Sequence, residues 1–227
     1  MQISQFITNA GIVAWPLLMF SVIAIALIIE RSIFWFKVLQ RQSLVVQKVL
    51  KTYRIDAYTA ISILQKNADL PIPRIFLEAL ELEQPTPDEM RLALESAASA
   101  ELPSIRRFNT VFDTIINVAP LLGLLGTVLG LITSFSSLNI GDVGSSSSAG
   151  VTGGISEALA STVLGLVVAI FTLVFSNMFR GFYKRQIALI QEYSGQLELL
   201  YRIHYERGDF NTNNSVDKSL ETAQSSV

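Results

Sequence analysis

APLLGLLGTVLGL, residues 119–131, lies within a run of 28 residues, 114–141, that carries no charged side chain. At about 1.5 Å per residue, a helix of that length crosses a hydrocarbon core of about 30 Å. The stretch nevertheless holds three glycines, a proline and a threonine, which a helix facing only lipid does not need. The sequence therefore poses two questions: what this helix packs against, and what its threonine hydroxyl meets.

Two further runs, residues 1–29 and 158–179, are also free of charge. Only 16% of the 227 residues are charged, against about 25% in soluble domains, and the mean hydropathy is +0.44. Both values indicate a membrane protein. A net charge of −2 gives no reason to expect nucleic acid as a partner. Without cysteine there is no disulfide framework, thiolate nucleophile or zinc–thiolate site. His204, the single histidine, sits in a polar amphipathic stretch and reads as a solvated surface residue rather than a metal ligand or base. The first run lacks a basic leader and a small-residue cleavage site, so it reads as a retained span with Trp15 and Trp35 as interfacial anchors.

Basic residues orient the spans. Lys37, Arg41, Lys48, Lys51 and Arg54 follow the first, Arg106 and Arg107 precede the second, and Arg180, Lys184 and Arg185 follow the third. Residues 1–30 and 136–154 contain no Lys or Arg, so the positive-inside rule places both outside. The resulting plan is an all-α integral membrane protein with three transmembrane helices, N-terminus out and C-terminus in. A periplasmic N-terminus covers 1–12 and transmembrane helix 1 covers 13–36. A cytoplasmic helical insertion, 37–112, forms a bundle continuous with the spans. Transmembrane helix 2 is 113–138, a flexible periplasmic Gly/Ser loop is 139–154, and transmembrane helix 3 is 155–179. A cytoplasmic helix, 180–207, leads to a polar disordered tail, 208–227. Within the insertion, TPDEM marks a helix start with acids in its first turn, and the charges read as a solvated face.

Small residues recur at helical spacing in spans 2 and 3. One stripe is Ala119, Gly123, Gly126 or Thr127, Gly130, Ser134 and Ser137; the other is Ala158, Thr162, Gly165, Ala169, Thr172 and Ser176. Lipid supplies no hydrophobic drive for helix association, so such residues let backbones approach and hydroxyls reach across. Packing of span 2 on span 3 explains part of this pattern. Two stripes of this length exceed one antiparallel contact, which favours helices that also line an oligomer or an inserted partner. The opposite faces, with Leu121, Leu125, Leu129, Val163, Leu166 and Ile170, suit lipid.

Catalytic motifs are absent: no phosphate-binding loop, nucleophile elbow, HExxH pair or useful carboxylate pair occurs. The chain therefore reads as a non-enzyme needing no metal or cofactor. Glu157, in GGISEALAST, has two readings: an interfacial carboxylate on the helix dipole in the first turn of span 3, or an acid in a wet pocket that tunes proton entry. Thr127 and Thr162 also have two readings. Each hydroxyl could bond its own helix, or both could await a carboxylate brought by another chain. Unless the spans are staggered, Thr162 lies nearer the outer side than Thr127.

NVAPLLGLLGTVLGLITSF and GGISEALASTVLGLVVAIFTLVF resemble the second and third membrane helices of the ExbB/TolQ group, in the superfamily that includes the MotA stator subunits. The likeness extends to the IIER end of span 1, the three-span order and the insertion. The resemblance implies an inner-membrane ring, pentameric in the family, around helices of an ExbD- or TolR-like one-span partner that contributes the membrane Asp. It further implies a complex that turns proton-motive force into mechanical work through a TonB- or TolA-like protein. The family's ring-lining threonines correspond to Thr127 and Thr162, and its acid at the start of helix 3 to Glu157. Gly123, Gly126, Gly130, Ala158, Gly165 and Ala169 are the packing positions. Phe171 and Gly153 stand where family members often have proline, which bears on a kink at 171 and on a rigid helix start at 153.

The sequence thus supports an ExbB-like motor subunit for TonB-dependent uptake, with a TolQ-like subunit of the Tol-Pal envelope system and a non-energised scaffold as alternatives. A solute transporter is disfavoured, since three spans without an inverted repeat or a mid-membrane charge offer little to bind with.

Overall fold

The computed structural model describes residues 12–136 and 145–207, the side chains of 145–152 and of Glu157 excepted. Expectations for the N-terminal piece up to residue 11, for residues 137–144 including Ser137, and for the tail 208–227 lie outside the described residues. The regular elements described are α1 (Ala14–Tyr53), α2 (Ala57–Gln65), α3 (Pro71–Leu80), α4 (Pro87–Ile105), α5 (Asn109–Ser136) and α6 (Ser145–Arg207). The protein is all-α, as the charge-free runs imply. Three helical stretches are long and apolar enough to cross a membrane, with windows of mean hydropathy 2.2, 2.2 and 2.5.

The chain gathers into two compact units, and α1 and α6 contribute to both. One unit comprises the chain up to Ile33 and Arg107–Gly181. Its interior is made by Val13, Leu17, Ala119 and Ala169, with Phe20, Leu122, Leu164 and Val168 packed against them. Ala14 meets Ala160 in a second cluster. Leu121, Leu125, Leu129, Val163, Leu166 and Ile170 are all exposed. Apolar surface this continuous belongs in lipid or against other chains. In the same unit Arg31 is buried at 3% exposure. It pairs with Glu30 at 3.1 Å, and its guanidinium lies 5.4 Å from the centre of the Phe108 ring. Phe108 has φ 69°, a left-handed conformation that a bulky residue seldom adopts. It occupies the short connection from α4 to α5. Arg180 and Asp113 form an ion pair.

Two sequence expectations change here. The helix of span 3 begins at Ser145, so the second half of the expected loop is wound into it. Gly153 is accordingly inside the helix rather than at its start, and the helix continues through Phe171, whose ring packs at a tilt against that of Phe175, 4.9 Å between centres. Low intrinsic propensity in a Gly/Ser run is overridden where the backbone finds close packing.

The other unit comprises Phe34–Arg106 and the chain from Phe182. Trp35 belongs to it and is 3% exposed, with Phe182 at 5.6 Å. It is therefore a core residue and not an interfacial anchor. Asp56 caps α2 by accepting from the Tyr58 N–H at 2.9 Å and from the Thr59 hydroxyl. The Thr59 hydroxyl and backbone bonds hold the Asp56 carboxyl below its ordinary range. α3 opens on Pro71, where a missing N–H costs nothing, and buries Ile72, Ile75 and Phe76. α4 opens on a capping box: Glu89 Oε2 accepts from the Thr86 N–H at 2.7 Å, while Thr86 Oγ1 accepts from the Glu89 N–H at 3.3 Å. The bonds that the Glu89 carboxylate accepts from the Thr86 N–H and from the Thr86 hydroxyl hold it below its ordinary range.

Polar ties close this unit. Gln42 and Gln186, each 2% exposed, exchange amide hydrogen bonds at 2.9 and 3.1 Å, and Gln42 Oε1 also accepts from the Ile72 N–H at 3.3 Å. Arg74 Nη1 reaches both oxygens of Glu101 at 3.2 Å. The buried Tyr201 hydroxyl donates to the Pro85 carbonyl at 2.5 Å. Burial raises the phenol pKa of Tyr53 and of Tyr201.

Candidate functional site

The small residues of α5 and α6 meet each other. Ala119, Gly123, Gly126, Gly130 and Ser134 are all buried on α5, facing Gly154, Ala158, Ser161, Thr162 and Gly165 on α6. At Gly123 a Cβ would stand 3.0 Å from the Ser161 carbonyl and from the Thr162 Cα. At Gly165 it would stand 2.5 Å from the Ala119 carbonyl, and at Gly130 it would stand 2.9 Å from both the Ala158 Cβ and the Gly154 carbonyl. Real Cβ atoms do not tolerate the closest of these separations, so the seam exists only because those atoms are missing. Ala169 lies further along α6, in the cluster with Ala119 and the start of α1.

One α5/α6 contact thus consumes the described part of the α5 stripe. On α6, Ala158, Ala169, Thr172 and Ser176 are buried too, and Thr172 donates to its own Val168 carbonyl at 2.7 Å. Packing within the chain therefore buries much of both stripes.

What remains at the edge of the seam is a pair of half-buried hydroxyls. Thr162 Oγ1 donates to the Gly123 carbonyl across the helices at 3.1 Å. Thr127 Oγ1 donates to the Leu124 carbonyl of its own helix at 2.6 Å. Thr127 bonds its own helix, as the first reading has it, whereas Thr162 donates to a carbonyl of the neighbouring helix of the same chain, which neither reading gave. The two hydroxyls end on consecutive carbonyls. Thr162 is level with Gly123, one turn before Thr127, so the expected order along the span is reversed. The cause is the earlier start of α6.

Sequence reasoning missed Ser161. It is fully buried, and its hydroxyl lies 2.7 Å from the Ala158 carbonyl and 3.2 Å from that of Gly123. The Gly123 carbonyl therefore lies within reach of two α6 hydroxyls. Small size at Ser161 was a usable signal, but a stripe drawn through Thr162 passes beside it. Glu157 lies about three turns beyond Ser145, so it is not in the first turn and a helix-dipole role falls away; its side chain is outside the described residues. His204 is half-buried rather than solvated, edge-on to Tyr53 at 5.6 Å and bonded to the Leu200 carbonyl at 2.9 Å. Among the described residues no group of three His, Cys, Asp or Glu could hold a metal ion.

Comparison with known proteins gives this arrangement a context. The model of the MotA/TolQ/ExbB proton channel family matches residues 67–192. Biopolymer transport protein ExbB-like 3 of Synechocystis sp. is 61% identical over 197 residues, covering 87% of this chain and 94% of that protein. ExbB-like 1 of the same organism is 40% identical over 200 residues, covering 87% and 79%. The biopolymer transport protein ExbB of Salmonella typhimurium is 36% identical over 110 residues, covering 47% and 43%.

Proposed function

Because the chain belongs to the MotA/TolQ/ExbB proton channel family, we propose that it is the ring-forming subunit of an ExbB-like, proton-driven motor in a bacterial inner membrane. In this reading five copies surround helices of an ExbD-like one-span protein, with N-termini periplasmic and C-termini cytoplasmic. The partner's membrane Asp takes up and releases protons, and the complex does mechanical work through a TonB-like protein for outer-membrane uptake.

The observation that carries the reading is the pairing of Thr127 and Thr162 on consecutive carbonyls of α5, in segments with no charge of their own. Both hydroxyl protons are already donated to backbone. Each oxygen therefore offers lone pairs to an incoming group, so it accepts from a protonated carboxylic acid more readily than it donates to a carboxylate. In a site of low polarity, that preference adds to desolvation in holding a partner acid neutral until water or a second group reaches it. Glu157 is assigned to the proton's entry route, since its position along α6 no longer rests on a helix terminus.

The test is Thr127→Val together with Thr162→Val, which keeps shape and removes both hydroxyls. Copurification with the one-span partner is expected to survive while uptake driven by the proton gradient is lost. Wild-type uptake by the double variant refutes the role of the hydroxyls. Function that persists after the gradient is dissipated identifies a scaffold instead.

A further inference from the structure

The proton pathway gives Ser161 no task, although its hydroxyl lies against the same carbonyl as that of Thr162. Ser161 is 0% exposed, so its proton has only protein atoms to go to. Two acceptors lie within reach: the Ala158 carbonyl of its own helix at 2.7 Å and the Gly123 carbonyl of α5 at 3.2 Å. Thr162 donates to that same Gly123 carbonyl at 3.1 Å.

A carbonyl oxygen has two lone pairs. Helix register commits one of them at Gly123 to the Thr127 N–H, and one at Ala158 to the Thr162 N–H. A single lone pair is left at each, and at Gly123 two hydroxyls compete for it. The shorter bond takes the Ser161 proton to Ala158 and leaves Gly123 to Thr162. The alternative needs no movement of a heavy atom: turning the Ser161 O–H from one carbonyl to the other is enough, and Ala158 keeps its N–H partner meanwhile.

We infer that Ser161 is a stand-in donor, which takes the Gly123 carbonyl whenever Thr162 turns its own hydroxyl toward a carboxylate. The inference rests on the reading of Thr162 as a contact for a partner's membrane acid, and refines it. With its proton on Gly123, Thr162 accepts from the protonated acid. With Ser161 on Gly123, Thr162 donates to the ionised acid. One threonine thus serves both protonation states, and the seam keeps a hydroxyl bond between its helices in each. Thr127 has no such exchange, because among the described residues no second hydroxyl reaches the Leu124 carbonyl. Thr162 is therefore the switching contact and Thr127 the fixed acceptor. Ser161 acts only through Thr162, as a positioning residue.

Two measurements separate this inference from the reading beneath it. In the full chain labelled with carbon-13 at its glycine carbonyls, the infrared band of Gly123 reports the hydroxyl bond it receives, and the other glycines cancel between variants. Thr162→Val is expected to shift that band at least twice as far in a Ser161→Ala background as with Ser161 present, since only Ser161 supplies a replacement donor. Equal shifts overturn the inference, whatever the activity of the chain. The second measurement uses the complex copurified with its one-span partner. Carbodiimide labelling of the partner's membrane acid, which requires the protonated form, is followed against pH. Ser161→Ala should raise the pH of half-labelling by about half a unit, about threefold in proton affinity, because Thr162 then gives up Gly123 less readily. In a Thr162→Val background the same substitution should move nothing further. A midpoint raised by Thr162→Val but unmoved by Ser161→Ala overturns this inference alone. A midpoint unmoved by either overturns the reading of Thr162 and this inference with it.

Discussion

Thr162 donates its hydroxyl to the carbonyl of Gly123, bridging α5 and α6 at 3.1 Å. Such bonds between membrane helices contribute about 0.6 kcal/mol on average. Thr162→Val is therefore expected to cost about that much stability in detergent while abolishing proton-driven work. Thr162→Ser restores the hydroxyl and should recover activity. A loss of several kcal/mol in Thr162→Val, measured by denaturant titration, makes the residue structural first.

The seam itself should be far less tolerant. Gly123→Ala places a Cβ 3.0 Å from two backbone atoms of α6 and should destabilise by about 1–3 kcal/mol through overpacking. Gly195→Ala, where nothing lies within 4 Å of the added carbon, should instead stabilise α6 by about 0.5–1 kcal/mol. Thermal midpoints of the two purified variants must move in opposite directions.

The glutamine pair makes an asymmetric prediction. Gln42→Leu strands both the Gln186 amide and the Ile72 N–H and should cost about 1–3 kcal/mol. Gln186→Leu leaves the Ile72 bond in place and should cost less. The double variant should lose less than the sum of the two, because each partner's loss is counted twice in the singles. Additive losses in a double-mutant cycle refute the coupling.

Stability should fall off at both ends of the pH range, for opposite reasons. Asp56 and Glu89 are held below their ordinary values of 3.8 and 4.5 by bonds from Thr59 and Thr86. The stability they contribute is complete above those values and is lost as pH falls below them. Tyr53 and Tyr201 are raised above 10.0, chiefly by burial. Their contribution is complete below pH 10.0 and is lost as pH climbs past it. Asp56→Asn should flatten the acid limb of a melting profile and Tyr53→Phe the alkaline limb. An alkaline limb unchanged by Tyr53→Phe removes that phenol from the explanation.

The spans were legible because charge is too costly to hide in lipid, so its absence over residues 114–141 and 158–179 is a strong mark. The start of α6 was not legible. GDVGSSSSAGVTGG has the composition of a linker, yet Gly154 packs so closely on α5 that a Cβ there would lie 3.0 Å from the Gly130 carbonyl, and helix is the backbone that permits this. Misplacing that start put Glu157 on a helix terminus and Thr162 at the wrong depth. The burial of Trp35 and Arg31 was hidden for a different reason. Aromatic and basic residues at a span end look alike whether they meet headgroups or rings such as Phe182 and Phe108. Ser161 was lost because a stripe one residue wide cannot represent a seam two residues wide.

A seam built from missing atoms has a genetics of its own. No substitution at Gly126 makes that residue smaller, so damage there is repaired only from across the interface. The atoms nearest a Cβ at Gly126 belong to the Ser161 side chain, so Ser161→Gly should suppress Gly126→Ala. The atoms nearest Gly123 are all backbone, which no mutation deletes. Selection for revertants should therefore return second-site changes on α6 for Gly126→Ala, and only restored glycine for Gly123→Ala.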